Sequence, residues 1–555
     1  MLIMSSLCKN MHNNYIIRKG AVCVKKIYYN ADVLTMDEML PNAEAVVVKD
    51  GKITFVGTNE EALKQKDGAE IIDLGKNTLL PGFIDAHSHF SGMAFSTLHC
   101  SLEGAKSFDE IKTRIIRFIR ERNISEGEWI VADNYDQNIL EERAHPTAKF
   151  IDEFASNYAV SLQHKSGHMG VFNSLALEKL GVNIDTPNRE GGLIGKDEDG
   201  LTGYMEEADY IEYIKAKPMP SQEDIFSGFC SAQKTYASYG ITTAQEGLFV
   251  KELSDLYKAL QTQNMLDIDI VGYVDCNNKE LLLEQFNDCI KEYKSHFKIG
   301  GIKLLLDGSP QGKTAWMKTP YVGEKSYCGY PAMKEEKILE QFKYAMEKEL
   351  QVLAHCNGDA ACEQYIRAVE KTREGYPIID DMRTVMVHAQ FLQKGQVPAL
   401  KVTNMIPSFF VAHVYHWGDV HVQNFGEERA EQICPVKTAI DNGIVYTFHQ
   451  DSPIIMPDMI ETLWIATNRK SKAGKILGTD ECISVYEALK GITINAAYQY
   501  FEEDKKGSIT VGKVADFVVL DKNPLKMEKE ELRDIKILET IKDGNRIFKR
   551  VERSL

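Results

Sequence analysis

The 555-residue sequence lacks several things that would fix its class at once. None of its eleven cysteines forms a Cys-x-x-Cys pair. An odd, scattered set without framework spacing suits free thiols in a reducing compartment. No apolar run approaches the roughly 18 residues of a membrane span. The first twenty residues, MLIMSSLCKNMHNNYIIRKG, show no basic segment ahead of a long apolar core, so no secretory signal is expected. Basic excess is absent too: 65 Lys and Arg against 81 Asp and Glu leave a net charge of -16. That balance excludes binding to nucleic acid through clustered phosphate contacts. These absences point to a cytoplasmic protein with a small-molecule substrate and neither nucleic acid nor membrane as partner.

What is present is ordinary in bulk, with 44% hydrophobic and 26% charged residues. The length exceeds one compact domain. Two distant stretches echo each other, AVVVKDGKITFVG (45–57) and LETIKDGNRIFKR (538–550), each with β-rich residues around Lys-Asp-Gly. That is a tight-hairpin signal. GKVADFVVLDKNP adds a strand near the C-terminal end. Both chain ends, 26–78 and 505–555, are expected to join in one small β domain, after an N-terminal extension over 1–25. Between them recur eight short apolar runs separated by helical patterns: LLPGFIDAHSH, GITTAQEG, DIDIVGYVD, GGIKLLLDG, LQVLAHCNG, TVMVHAQ, NMIPSFF and IVYTFHQDS. Eight β/α alternations over 79–504 predict an α/β fold of the (β/α)8 TIM-barrel type. The gap between the first two runs is far too long for a loop. It predicts an inserted subdomain, 91–235, over the barrel mouth.

The polar residues at the ends of these runs carry the chemistry. The first run ends in His87-Ser88-His89, where a spacing of two on a strand would put both imidazoles on one face. The fifth ends at His355, the sixth at His388 and the eighth at Asp451. In a parallel barrel the C-terminal strand ends meet at one mouth. Lys303 sits in the fourth run, in a stretch that reads as buried on both faces, and a buried lysine needs a partner. A single histidine after a strand is more often a capping or packing residue. Four histidines, an aspartate and a lysine on five strands are better explained by a metal site. Nitrogen ligands with a carboxylate suit Zn2+ with an open position for water. Such a metal brings the pKa of bound water to about 7, and an adjacent Asp can carry its proton. The implied reaction is hydrolysis.

These residues also carry a family resemblance. LLPGFIDAHSHF, DGLTGYMEE, GIKLLLDGS, HCNGDAA, VHAQ, FGEERA, HQDSPIIMPDM, ALKGITINAA and KGSITVGKVADFVVLDKNP resemble the amidohydrolase superfamily, in its YtcJ-like group with the N-substituted formamide deformylases. The resemblance implies a (β/α)8 barrel with a composite β-sandwich domain built from both chain ends. It implies one or two divalent metals. His87, His89 and Asp451 would bind one, His355 and His388 the other, and a carboxylated Lys303 would bridge them. The alternative partner for Lys303 is Asp307, on the same strand face. Asp451 would be the general base. His168, in the insertion segment SGHMGVFNS, would contact substrate or polarise a carbonyl, although Ser166 replaces an Asp of the family pattern. By the same analogy the protein is a homodimer.

Softer candidates for the substrate pocket are His413, His416 and Trp417 after the seventh run, and His449, on the strand face of Asp451. His449 and Gln450 replace the Gly-Ser of many relatives. Arg429 and Arg469 match family positions, and helix-surface salt bridges explain them equally. The expected reaction is hydrolysis of an amide-like C–N bond of an N-acyl or N-formyl type substrate by a metal-bound hydroxide. One alternative is ring deamination, which usually places a Glu three residues after the fifth-strand His, where this chain has Gly358. The other is a non-catalytic binding or regulatory barrel, which usually has lost its ligands.

Overall fold

Two Asp-Gly pairs set the ends of the chain. In the computed structural model, which describes residues 25–165, 168–189, 191–215, 220–375 and 381–551, both turn as read. Asp50 and Gly51 have φ of 51° and 77°, and Asp543 and Gly544 have 51° and 71°. Positive φ at both central residues is what a two-residue hairpin of the right twist requires. The turns also touch: a Cβ on Gly51 would lie 3.0 Å from the Asp543 carbonyl oxygen. The two hairpins belong to different sheets. Ala45–Lys49 and Lys52–Gly57 join Lys25–Tyr29 and Ala69–Asp73 in a four-stranded sheet. Ile537–Lys542 and Asn545–Lys549 join Phe517–Leu520, Thr78–Pro81, Asp32–Leu34 and Asn42–Ala43 in a six-stranded sheet drawn from both chain ends. Tyr28, Val46, Val48, Leu79, Phe517, Val519 and Ile541 pack into one apolar cluster that draws on both sheets. The expected N-terminal extension lies, but for Lys25, outside the described residues.

The eight apolar runs form eight strands of one parallel sheet. In order they are Phe83–Ile84, Ile241–Phe249, Asp269–Asp275, Phe297–Leu305, Gln351–Cys356, Val385–His388, Ile406–Phe409 and Thr447–Phe448. Each pairs in parallel with the next. The ring closes through two backbone hydrogen bonds beyond the last strand: Asp451 N–H to the His87 carbonyl, 3.1 Å, and His89 N–H to the Ser452 carbonyl, 2.8 Å. Alternate residues Val271 and Tyr273, and Val385 and Val387, share one core with Ile84, Leu353 and Ile406. This is the period-two logic of a filled barrel.

Charge marks the N-terminal strand ends. Asp269 opens the third strand and meets Lys506 at 2.5 Å, Lys542 at 3.1 Å and the Nδ1 of His296 at 2.7 Å. Glu502 pairs with Lys506 at 2.9 Å and with Lys298 of the fourth strand. All but His296 are buried, and a buried charge persists only when paired. The network ties barrel strands to the C-terminal segment and was not foreseen in the sequence.

Residues Ala94–Phe229 form a second compact unit. Its mixed sheet runs in the order Gly192–Asp197, Gly200–Glu206, Met169–Phe172, Ala159–His164, Trp129–Tyr135, Cys100–Ser101. The helix Phe108–Arg122 starts where Ser107 accepts the Glu110 N–H and buries Ile111 and Ile115, one turn apart. Among the described residues no helix is long and apolar enough to cross a membrane, and no disulfide forms.

Candidate metal centre

The first strand stops at Ile84, so His87 and His89 do not share a strand face as the spacing suggested. His87 lies in the bend that follows it, and His89 in an isolated antiparallel bridge to Glu246. They still converge, because that bend packs against the segment after the eighth strand. The Nε2 atoms of His87 and His89 lie 3.5 and 3.3 Å from the same oxygen, Oδ1 of Asp451. These three residues can offer ligand atoms all within 4.8 Å of one another. Asp451 has φ of 53° and His388 of 71°. Non-glycine residues rarely take this left-handed backbone, and where they do it is often at a functional site.

Tautomers follow from the partners. The Nδ1 of His87 lies 2.5 Å from Oε1 of Gln245, on the second strand. Gln245 is itself oriented, donating to the Ala86 carbonyl and to the Tyr500 hydroxyl. The Nδ1–H of His87 therefore donates to Gln245, and its Nε2 keeps a lone pair. The ring is held in place: a Cβ on Gly247 would lie 2.4 Å from the His87 Cε1. On the fifth strand, the Nε2 of His355 lies 3.3 Å from the Gly308 carbonyl oxygen and 3.0 Å from the Asn357 amide nitrogen. Its Nδ1 lies 3.1 Å from the Nε2 of His388. Burial pushes His87 and His388 well below 6.5 and His355 to about 4, so these imidazoles are neutral. Burial alone would raise the Asp451 carboxyl, but His89, His449 and Lys303 hold it below 3.8. Its Oδ1 is buried and, among the described residues, has no hydrogen-bond partner. Lone pairs and an anionic oxygen facing one another across 3–4 Å are the donor set of a divalent cation.

Lys303 does not pair with Asp307. Oδ1 of Asp307 accepts the N–H of Asn357, and Oδ2 those of Gly358 and Trp316, at 2.7–3.0 Å. Asp307 thus orders the loops that follow the fourth and fifth strands. Lys303 turns instead to the Nε2 of His87, 3.1 Å away. Burial brings its ammonium down to about 7. The fourth run is not buried throughout: Leu305, two residues on, is 43% exposed.

The remaining candidates have other partners. His449 is buried, with Nε2 3.0 Å from Nδ1 of His388 and Nδ1 2.9 Å from Oγ of Ser408. His413 is buried against His421 and Trp417. The Nε2 of His416 meets Glu461 at 2.9 Å. His168, in the 94–229 unit, lies 3.2 Å from the Glu207 carboxylate, and Ser166 is outside the described residues. Among the described residues neither arginine pairs with a carboxylate at the surface, the alternative explanation for both. Arg469 is buried and donates to the carbonyls of Leu477, Cys434 and Ile433. Arg429 donates to those of Phe425, Thr319 and Pro320. Gln245 and Ser408 carry no signal in the sequence that marks them as site residues, and Asp307, a candidate partner for Lys303, takes a different role.

Known proteins place this arrangement. The profile of the Amidohydrolase family matches residues 70–548. YtcJ of Bacillus subtilis (strain 168), named as an amidohydrolase, is 27% identical over 95% of this chain and 100% of its own. The N-substituted formamide deformylase of Arthrobacter pascens is 27% identical over 93% of this chain and 96% of its own. The crystal structure of an uncharacterized metal-dependent hydrolase from Pyrococcus horikoshii superposes with a TM-score of 0.74. It is 25% identical, over 91% of this chain and 99% of that one. With eight parallel strands carrying histidines and an aspartate at their carboxyl ends, this chain belongs to the amidohydrolase family, hydrolases of carbon–nitrogen bonds other than peptide bonds.

Proposed function

We propose that the protein hydrolyses an amide-like C–N bond, of the N-formyl or N-acyl class, at the site formed by His87, His89, Lys303, His355, His388 and Asp451. The observation that carries this reading is the pair of imidazole nitrogens facing one buried carboxylate oxygen. The 27% identity to the deformylase of Arthrobacter pascens, spread over nearly the whole of both chains, supports the substrate class. The two sheets from the chain ends are proposed to form one composite β-sandwich.

His87, His89 and Asp451 would hold one divalent metal, which we take to be Zn2+, and His355 and His388 a second. A bound metal supplies Lewis acidity and an activated water. The chain's own residues do the rest. Asp451 takes a proton from the attacking water at its carboxylate and delivers it to the leaving nitrogen, so that C–N cleavage releases a carboxylic acid and an amine. Gln245 keeps the His87 Nε2 free of its proton. The neutral Lys303 amine would add to CO2, releasing one proton to solvent, and the resulting carbamate would be a ligand to both metals. A value near 7 leaves much of the amine unprotonated at neutral pH.

Ring deamination has less support here. A side chain at Gly358 has no room, since its Cβ would lie 2.0 Å from the Trp316 carbonyl oxygen. The non-catalytic reading is disfavoured because every expected ligand position is filled. The test is a screen of N-formyl, N-acyl and cyclic amides with metal-loaded enzyme, reading amine release. Turnover of amides that disappears on chelation is expected. Bound metal without turnover of any amide class would overturn the proposal.

A further inference from the structure

We infer that His449 is a positioning residue, which fixes the tautomer of His388 through a directed chain running His388 to His449 to Ser408. This rests on the reading of His388 as a metal ligand. His388, His449 and Ser408 are all buried. The two hydrogen bonds are 3.0 Å, between Nδ1 of His388 and Nε2 of His449, and 2.9 Å, between Nδ1 of His449 and Oγ of Ser408. A neutral imidazole has one N–H and one lone pair, so the proton on one ring dictates the proton on the next. In one direction, Nδ1–H of His388 donates to Nε2 of His449, and Nδ1–H of His449 donates to the Ser408 hydroxyl. Nε2 of His388 is then a free lone pair, 3.1 Å from Nδ1 of His355 and 4.0 Å from Oδ2 of Asp451. In the other direction His388 carries its proton on Nε2 and cannot ligate. Because a hydroxyl can serve either role, Ser408 permits the first direction, and His449, accepting at Nε2, would hold His388 in it once the Nε2 of His388 serves as a ligand.

The surroundings of His449 fit this role better than contact with substrate. Both of its nitrogens are engaged. Its ring is flanked by those of His87 at 5.3 Å, His388 at 5.1 Å and Phe410 at 5.2 Å, centroid to centroid. His87 has its own tautomer anchor in Gln245, and the Nε2 of His355 lies against the Gly308 carbonyl and the Asn357 amide. His449 completes the set for the sixth strand. Partners that orient a ligating histidine contribute about 10–100-fold to metal affinity.

The experiment titrates apoprotein with Zn2+ against a chromophoric chelator, with Co2+ absorption as a second readout. KM and kcat are measured on any active amide. His449→Ala is expected to weaken the His388 position by about 10–100-fold, with kcat reduced and KM little changed. His449→Gln should recover most of that loss, since its Oε1 can accept from His388 while its Nε2 donates to Ser408. Ser408→Ala should weaken binding in the same direction by less, and with His449→Gln it carries the test if His449→Ala does not fold. Unchanged metal affinity with a raised KM in His449→Ala would make His449 a substrate residue and overturn the inference. Equal weakening in the Ala and Gln variants would assign it to packing and overturn it too. A wild-type apoprotein that binds no divalent metal would sink the metal reading itself, before any variant is compared.

Discussion

The Nζ of Lys303 lies 3.1 Å from the Nε2 of His87, a residue 216 positions earlier in the chain. The contact brings the fourth barrel strand to the bend after the first and puts an amine beside a candidate ligand. If that amine becomes a bridging carbamate, Lys303→Ala is expected to lose bound metal and activity while the barrel still folds. Acetate should restore part of the activity by standing in for the bridge, and apoprotein should reactivate faster with Zn2+ plus bicarbonate than with Zn2+ alone. A lysine that served only as a buried ion-pair partner would instead cost about 3–5 kcal/mol of stability on removal, with no response to bicarbonate.

Asp451→Asn would remove the proposed proton carrier and keep the shape. Turnover is expected to fall by about 10²–10⁴-fold, with the melting temperature of the apoprotein close to wild type. Steady-state rates on an active amide decide this; near-normal kcat in the variant would assign the proton transfer to another group.

Gln245→Leu should weaken metal binding by about 10–100-fold, because it deletes the acceptor of the His87 Nδ1–H. Gly247→Ala should act on the same ligand by a different route, pushing the ring aside through a contact of 2.4 Å. Chelator competition on both variants would read this out. Wild-type affinity in both would mean that the His87 ring is not anchored as described.

The buried ion network predicts how stability depends on pH. Burial would raise the Asp269 carboxyl, but Lys506, Lys542 and His296 hold it well below 3.8. Glu502 is likewise held below 4.5, against burial, by Lys506 and Lys298. A carboxylate depressed in the folded state contributes stability that is complete above its unfolded value and is lost as pH falls toward the folded one. Melting temperature should therefore drop as pH goes below about 4. Asp269→Asn should be less stable at neutral pH by about 3–5 kcal/mol and should show a shallower acid decline. His296 works in the opposite sense: burial lowers it, but Asp269 lifts it above 6.5. Its contribution is present below pH 6.5 and fades as pH rises. An acid limb in Asp269→Asn as steep as wild type would remove Asp269 as the cause.

The barrel strands and the polar residues at their ends were legible in the sequence because both are local signals. A period-two apolar run marks a strand wherever it lies. A polar residue at the end of such a run is delivered to the barrel mouth by parallel topology alone. Hence all eight strands, and His355 and His388 at their ends, match the reading. The hairpins at Asp50-Gly51 and Asp543-Gly544 were legible for the same reason, since two adjacent residues supply the positive φ. Partnership was not legible. Nothing near Gln245 in the chain says that it will meet His87, or near Ser408 that it will hold His449. Asp307 had the right face for Lys303, but it was claimed by three backbone N–H groups from loops that only the folded barrel brings within reach. Arg469 had the composition of a surface residue and became a buried clasp for carbonyls of a distant segment. Hydrogen-bond satisfaction in a closed interior is settled among all the groups that burial assembles, so sequence fixes which residues reach the site and tertiary structure decides which atom of each faces which.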